Sequence, residues 1–246
     1  MHKVIVFLMI VAAFVSSLPL QIFAEEDGAL DTDLNLGFSL NDGNSETMQA
    51  NAALTTEGQR EDLGSLRAGV EFNYGESTVD DERETTLEDH CVFAGTRKTL
   101  SRLGFLSLNA DYLHDEVAEI EYRATLSPGA GSYVFKGDDG SLSFELGPSY
   151  IWEEVAGQSD DYLALRIMER FEYKIGPNAK CWQSLEYMPR ADDFDDYLIN
   201  AELGVEAALN SRLNLRVSLK DQYDSTPGAG NEENDISLIS GISISI

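Results

Sequence analysis

The chain contains few residues of the types that cross-link a fold or catalyse acid–base chemistry. It has two cysteines among 246 residues, Cys91 and Cys181, which are far apart and each lie inside a strand-like run. That arrangement is not a disulfide framework. Only His90 and His114 follow the first 24 residues, so a histidine-dependent mechanism must use one of them. Backbone hydrogen bonding and packing must therefore hold the fold.

Basic residues are also scarce. The chain has 17 lysines and arginines against 44 aspartates and glutamates, a formal net charge of −27 at pH 7. A protein of this charge repels a phosphate backbone, so nucleic acid is excluded as an expected partner.

The long apolar run of the chain lies at its start, from Val4 to Val15, after His2 and Lys3. It is too short to span a bilayer, and it leads to Ile22-Phe23-Ala24 before an acidic stretch, which resembles a cleavage site. We therefore predict a secretory signal peptide over residues 1–24, rather than an uncleaved anchor, and one exported β-domain over residues 25–246.

The rest of the chain alternates apolar and polar residues, as in NSRLNLRVSLKDQYD (210–224). Alternate side chains of a strand point to opposite faces, so such a segment has one apolar and one polar face. In a soluble sandwich or barrel the apolar face would form the core. In a membrane barrel it would contact lipid, and the polar face would line the interior.

Twelve such runs occur, with no helical period of comparable length between them. Compact turns are predicted to follow the even-numbered strands, at residues 58–62, 99–102, 137–140, 176–178 and 210–212. Longer connections are predicted at residues 75–85, 153–161, 189–196 and 224–235. This asymmetry, with an even strand number, is typical of an outer-membrane barrel. In the fourth run we assign Leu87, Cys91 and Phe93 to the apolar face. Asp89 is then a charged exception on that face, and Glu169 and Asp221 are similar exceptions in later runs.

Aromatic residues give independent support, because many share the apolar face at the end near the longer connections. Strand propensity alone explains their presence in strands but not their shared face and end. We predict that they form a girdle at one membrane interface. The girdle residues are Tyr74, Tyr112, Tyr122, Tyr150, Trp152, Tyr187, Tyr197 and Tyr223. A thinner second belt near the short turns is assigned to Phe93, Phe171 and Tyr173.

The opposite face is charged and is predicted to line a polar lumen. Its residues are Arg67, Glu71, Arg123, Glu145, Arg166, Arg170, Glu186, Glu202, Glu206, Arg216 and Lys220. The predicted fold is thus all-β, an up-and-down antiparallel transmembrane barrel of about twelve strands. If residues 210–212 form a turn, Leu209 pairs with Leu213, and the register places Glu206 opposite Arg216 and Glu202 opposite Lys220.

Four stretches also carry a family resemblance: LGFSLNDGNSET, LGPSYIWEE, NAKCWQSLEYMP and YLINAELGVEAALNSRLNLRVSLKDQYDSTPG. They resemble the salt-induced outer-membrane protein family (YdiY-like), whose function is unknown, and the resemblance spans essentially the whole exported chain. It implies a bacterial outer-membrane barrel with a link to salt or envelope stress, and no catalytic residues to transfer. One departure is the final residue, Ile246, where such barrels usually carry an aromatic residue that is read during assembly.

The longer connections are strongly acidic, with Arg83 and Arg190 as their basic residues. Such a surface concentrates cations at a pore mouth or binds divalent ions that bridge lipopolysaccharide phosphates, although acidic loops also simply favour solubility. For a weak Ca²⁺ or Mg²⁺ site the candidates are Asp192, Asp193, Asp195 and Asp196, which lack a recognised calcium-loop spacing.

The predicted function is non-enzymatic: a structural envelope protein or a narrow, cation-preferring channel. The expected partners are outer-membrane lipid and lipopolysaccharide, the barrel-assembly machinery and divalent cations, with no cofactor. One alternative is a soluble exported barrel that binds a small ligand in an apolar interior, as lipocalins do. Another is a rim hydrolase that uses His114, Asp115 and Glu116 with neighbouring loop carboxylates.

Overall fold

The alternation of apolar and polar side chains favours strands along the chain. In a computed structural model these strands form one closed antiparallel barrel. The structure describes residues 30–41, 46–60, 63–79, 82–228 and 231–246. The predicted signal peptide lies outside these residues. No helix among the described residues is long and apolar enough to cross a membrane, a finding that does not bear on strands.

The twelve strands follow chain order around the barrel, and β1 closes it by pairing with β12. Their bounds are β1 Leu30–Asn41, β2 Glu46–Arg60, β3 Gly64–Val79, β4 Glu82–Thr99, β5 Gly104–Asp115, β6 Ile120–Lys136, β7 Gly140–Val155, β8 Gln158–Gly176, β9 Ala179–Pro189, β10 Tyr197–Ala208, β11 Leu213–Asp224 and β12 Asn234–Ser245. The predicted all-β, twelve-stranded barrel is confirmed.

The β10–β11 hairpin has the predicted register. The Leu209 amide donates to the Leu213 carbonyl at 2.8 Å, and the Asn210 side chain accepts from the amides of Arg212 and Leu213. Beyond the turn, Ala207 pairs with Leu215, Glu206 with Arg216 and Glu202 with Lys220. The Asn210 side chain fixes this turn by accepting from the backbone two and three residues later. The turn then fixes the register, and the register determines which side chains share a face.

Two predicted loops are instead continuations of strands. β3 and β4 remain paired out to Val79 and Glu82, and β7 and β8 out to Val155 and Gln158, so residues 75–85 and 153–161 are mostly hairpin. Polar composition suggested loops, but strands that project beyond a membrane can be polar on both faces. Among the described residues, irregular connections at this end occur at residues 116–119, 190–196, 225–228 and 231–233. We call this end, where β5–β6, β7–β8, β9–β10 and β11–β12 connect, the mouth, and the other the turn end.

The exterior is apolar. Large hydrophobic side chains with substantial exposure recur on alternate positions of most strands, among them Leu106, Leu108, Leu126, Leu146, Leu163, Leu203, Leu215 and Leu238. An apolar outer face around a charged interior is the arrangement of a membrane barrel and the inverse of a soluble one.

The face assignment of β4 was wrong. Cys91 pairs with Glu71, and the Arg67 guanidinium lies 4.8 Å from the centre of the Phe93 ring, so both β4 residues face the lumen. Asp89 accordingly accepts a 2.7 Å hydrogen bond from Asn73 inside the barrel. Both faces of β4 mix polar and apolar residues, so alternation alone does not orient this strand. Phe93 therefore leaves the second aromatic belt, in which Phe171 and Tyr173 stack at 6.3 Å.

Candidate functional site in the barrel lumen

All eleven residues predicted to line the lumen form ion pairs. One set is buried against the β7–β8 wall, where the Arg166 side chain lies between the carboxylates of Glu145 and Glu186 and bonds to both. Glu145 is only 3% exposed, accepts from Asn109 at 2.9 Å and lies 3.4 Å from Arg97. A guanidinium between two carboxylates is stable out of water because its five donors can satisfy both partners.

A second set crosses the barrel from β11. The Lys220 ammonium pairs with Glu71 of β3, although β12, β1 and β2 separate these strands around the wall. The neighbouring Arg216 guanidinium lies 3.3 Å from Glu202 and 4.3 Å from the centre of the Trp182 ring. The Trp182 indole in turn donates to Glu202 at 2.9 Å. The Lys220–Glu71 pair thus joins strands four positions apart around the wall, whereas the contacts of Arg216, Glu202 and Trp182 lie among the neighbouring strands β9, β10 and β11.

Three further ion pairs lie at the turn end of the lumen. They are Arg67 with Glu57 at 2.7 Å, Arg170 with Glu172 at 2.7 Å and Lys180 with Glu206 at 3.1 Å. Sequence analysis did not single out Glu57 or Arg97 as lumenal. Glu57 lies in a Thr- and Gly-containing stretch with weak alternation, and the reversed assignment of β4 concealed Arg97.

Two arginines are tied to carboxylates at the mouth. The Arg123 guanidinium contacts Glu153 at 2.5 Å and Asp224 at 2.9 Å, which links β6 to β7 and, across the barrel, to β11. The Arg190 guanidinium lies over the Tyr162 ring at 4.4 Å and bonds to Asp160 at 2.6 Å and to Asp192 at 2.8 Å. The hydrogen bond from Arg190 lowers the pKa of Asp160 below its usual value, and the same bond raises the pKa of Arg190.

These contacts bear on the predicted cation site. Asp192 and Asp196 face Arg190, at 2.8 and 3.7 Å, while Asp193 accepts from the Asp195 amide at 3.1 Å. Among the described residues, no group of three or more histidine, cysteine, aspartate or glutamate side chains is placed to hold a metal ion. Arg190 neutralises part of this cluster, and a Ca²⁺ or Mg²⁺ site on the four aspartates stays a prediction.

The aromatic residues of the predicted girdle lie near the mouth, and several contact one another across strands. Tyr150 and Trp152 are 4.6 Å apart, Tyr187 and Tyr197 5.5 Å, and Tyr197 and Tyr223 5.7 Å between ring centres. Tyr112, Tyr150 and Trp152 are exposed, and Tyr122, Tyr187, Tyr197 and Tyr223 are half-buried. Tyr74 differs, because it is 7% exposed and its hydroxyl donates to Glu76 at 3.0 Å.

Of the described residues, His90 and His114 lie on the outer face of the barrel rather than in the lumen. His90 and His114 lie opposite each other on neighbouring strands, with ring centres 5.7 Å apart, and His90 also contacts Phe72. The His114 ring lies 2.8 Å from the Glu121 carbonyl and 3.8 Å from the Glu116 carboxylate. These are contacts within and between adjacent strands, and they do not join His114 to the Asp160 or Asp192 carboxylates.

Comparison with known proteins agrees with this architecture. The family model described as "Protein of unknown function, DUF481" matches residues 34–245. The chain belongs to this family. The family description names no function, so the link to salt made from the sequence resemblance stays a prediction.

Solved structures share the fold at low sequence identity. A NanC porin structure aligns with a TM-score of 0.54 at 11% identity, covering 89% of this chain and 100% of the porin. The COG4313 outer membrane channel from Pseudomonas putida F1 aligns with a TM-score of 0.51 at 12% identity, covering 93% and 99%. No curated protein matches by sequence. The barrel therefore has the fold of outer-membrane porins and channels.

Proposed function

We propose that the protein is an outer-membrane barrel that acts as a narrow, cation-preferring channel. The observation that carries the proposal is the charge of the mouth. Aspartates and glutamates crowd this end of the strands, and its arginines Arg83, Arg123 and Arg190 each pair with at least one carboxylate. Because the positive charge there is neutralised locally, the remaining carboxylates set the potential that an approaching ion meets.

The apolar exterior, the predicted aromatic girdle and the predicted signal peptide support the proposed location in the outer membrane. In that setting the lipid-facing wall would contact outer-membrane lipid, and the acidic mouth would face lipopolysaccharide and its divalent counter-ions. Folding there requires the barrel-assembly machinery. Regulation by salt is a further proposal that rests on the family resemblance alone.

Single-channel recording of the refolded protein in planar bilayers tests the proposal. We expect small conductance steps, and a reversal potential in a salt gradient that indicates preference for cations. The preference should weaken as ionic strength rises, because the Debye length is about 10 Å at 0.1 M salt and shorter above it. Anion preference would contradict the proposal.

A structural role in the envelope is the second candidate, and the ion pairs that cross the lumen favour it. Lys220 with Glu71 and Arg123 with Asp224 join distant strands and occupy the interior at two heights. If correctly folded protein gives no conductance in the same bilayers, the structural role replaces the channel.

A further inference from the structure

The seam between the first and last strands is paired over only part of its length. β1 and β12 pair from Asp33 with Ser245 to Gly37 with Gly241, a stretch of five residue pairs. Both strands continue toward the mouth, where β1 stays paired with β2 out to Asn41 and β12 stays paired with β11 out to Asn234. Within the described part of the chain, residues 38–41 and 234–240 are thus paired on one side only.

This half-paired edge lies at the height of the apolar exterior. Its outward side chains Phe38, Ile236 and Leu238 are large, apolar and more than half exposed. In hydrocarbon, backbone amides and carbonyls without partners are unfavourable, and barrels normally avoid them by complete closure. The edge is therefore a place where the wall can open or take up a partner.

A recess in the lumen lies directly behind the point where the pairing ends. It is lined by the four residues at that point, Leu36, Gly37, Gly241 and Ile242. Three cations, Arg67, Arg216 and Lys220, also line it, with Glu71 as the one carboxylate. In the β11–β12 ladder Arg216 pairs with Gly241 and Lys220 with Ser237, so two of the cations lie on the strand adjoining the half-paired edge.

The lining combines a polar interior with an apolar entrance. A carboxylate takes at most two of the five donors of a guanidinium, so Arg67 and Arg216 retain donors beyond their pairs with Glu57 and Glu202. Leu36, Ile239 and Ile242 supply apolar surface toward the seam. Such a site complements an anionic headgroup attached to an alkyl chain.

We propose that the β1–β12 seam is a lateral opening that admits a long-chain carboxylate from the membrane. The carboxylate binds Arg216, Lys220 and Arg67 in the recess, and its chain leaves through the seam between Phe38 and Leu238. Binding of this kind does not depend on conduction through the lumen.

Fluorescence titration with 11-dansylaminoundecanoate tests the proposal on folded protein in neutral detergent micelles. The free acid should bind at least about tenfold more tightly than its methyl ester, because only the acid forms charge-assisted hydrogen bonds. Replacing both Arg216→Gln and Lys220→Gln should remove most of that difference. The matched control is Arg170→Gln, a lumenal arginine that pairs with Glu172 and does not line the recess. Equal binding of the acid and the ester to the unaltered protein would overturn the proposal, and this test does not depend on whether any variant folds.

The route is tested separately by closing the seam. A Phe38→Cys and Ser240→Cys pair, with Cys91→Ser and Cys181→Ser, should abolish binding when oxidised and restore it when reduced.

Dansylglycine, which lacks the chain, should bind no more than weakly; binding as tight as that of the undecanoate would place entry in the aqueous lumen. Displacement by phosphatidylglycerol at equal concentration would make the ligand a phospholipid. Disulfide-linked dimers of Phe38→Cys alone would make the partner a second copy of the chain. Each of these three outcomes contradicts the proposal.

Discussion

Arg216 lies directly opposite Glu206 in the β10–β11 ladder but forms its ion pair with Glu202, four residues nearer the mouth. Glu206 instead pairs with Lys180 of β9. The register expected from the turn is therefore correct, but the ion pairs run diagonally, because long side chains in a tilted barrel reach beyond their direct neighbours.

This diagonal pairing gives a prediction for charge reversal. Arg216→Glu should destabilise the barrel by about 1–3 kcal/mol, because it places like charges together in a partly desolvated lumen. Adding Glu202→Arg should recover more of that loss than adding Glu206→Arg, since coupling is largest between residues in contact. Urea unfolding followed by heat-modifiable gel migration measures all three variants. Better rescue by Glu206→Arg would contradict the diagonal assignment.

The buried arginine of β8 should be the most sensitive lumenal residue. Arg166→Met leaves the Glu145 and Glu186 carboxylates without their shared cation and should cost about 3–5 kcal/mol in the free energy of unfolding. Arg170→Met removes a cation with one, more exposed partner and should cost less. The same urea titration gives both values, and a larger loss for Arg170→Met would show that the β7–β8 wall is not the packed side of the lumen.

The contact between Arg190 and Asp160 should make the β9–β10 connection sensitive to acid. The pKa of Asp160 is lowered in the folded protein, so the stabilisation is fully present above the unfolded value of about 3.9 and is lost as pH falls through the folded value. The amide of Ala191 donates to the Leu163 carbonyl at 2.8 Å, so its exchange rate reports whether the β9–β10 connection is held against β8. Its hydrogen exchange, corrected for intrinsic rate, should be slow at pH 7 and faster below about pH 4. In Asp160→Asn it should be fast at both; slow exchange in that variant would contradict the prediction.

The two barrel ends should also differ in access from outside the cell. A cysteine at Ser159, beside the β7–β8 hairpin tip at the mouth, should react with an impermeant thiol reagent on intact cells. One at Asn178, in the β8–β9 turn, should not react until the cells are broken. Cys91 and Cys181 are first replaced by serine. Labelling at Asn178 but not at Ser159 would mean that the acidic mouth faces inward.

The sequence predicted most of the fold because the strands alternate clearly and the turns contain Gly, Pro and Asn. It failed at β4, where Asp89, Cys91 and Phe93 share the lumenal face with Gly95 and Arg97, so neither face is predominantly apolar. Only pairing with β3, through Asn73 and Arg67, orients that strand. The sequence also could not predict the contact between Lys220 and Glu71. The partners are 149 positions apart, and only closure of the barrel brings them together. The half-paired seam could not be predicted from the sequence either, because β1 and β12 alternate apolar and polar residues as the other strands do.

If the apolar face of the barrel contacts lipid, Trp152 lies in the bilayer and Trp182 lies inside the lumen. The two tryptophans test it directly, because Trp152 is exposed on the outer face, whereas Trp182 lies in the lumen under Arg216. Trp182→Phe and Trp152→Phe each leave one tryptophan, whose fluorescence is measured in vesicles of brominated phospholipid. We expect strong quenching of Trp152 and little quenching of Trp182. Strong quenching of Trp182 with little quenching of Trp152 would mean that the charged face contacts lipid and the apolar face lines the interior.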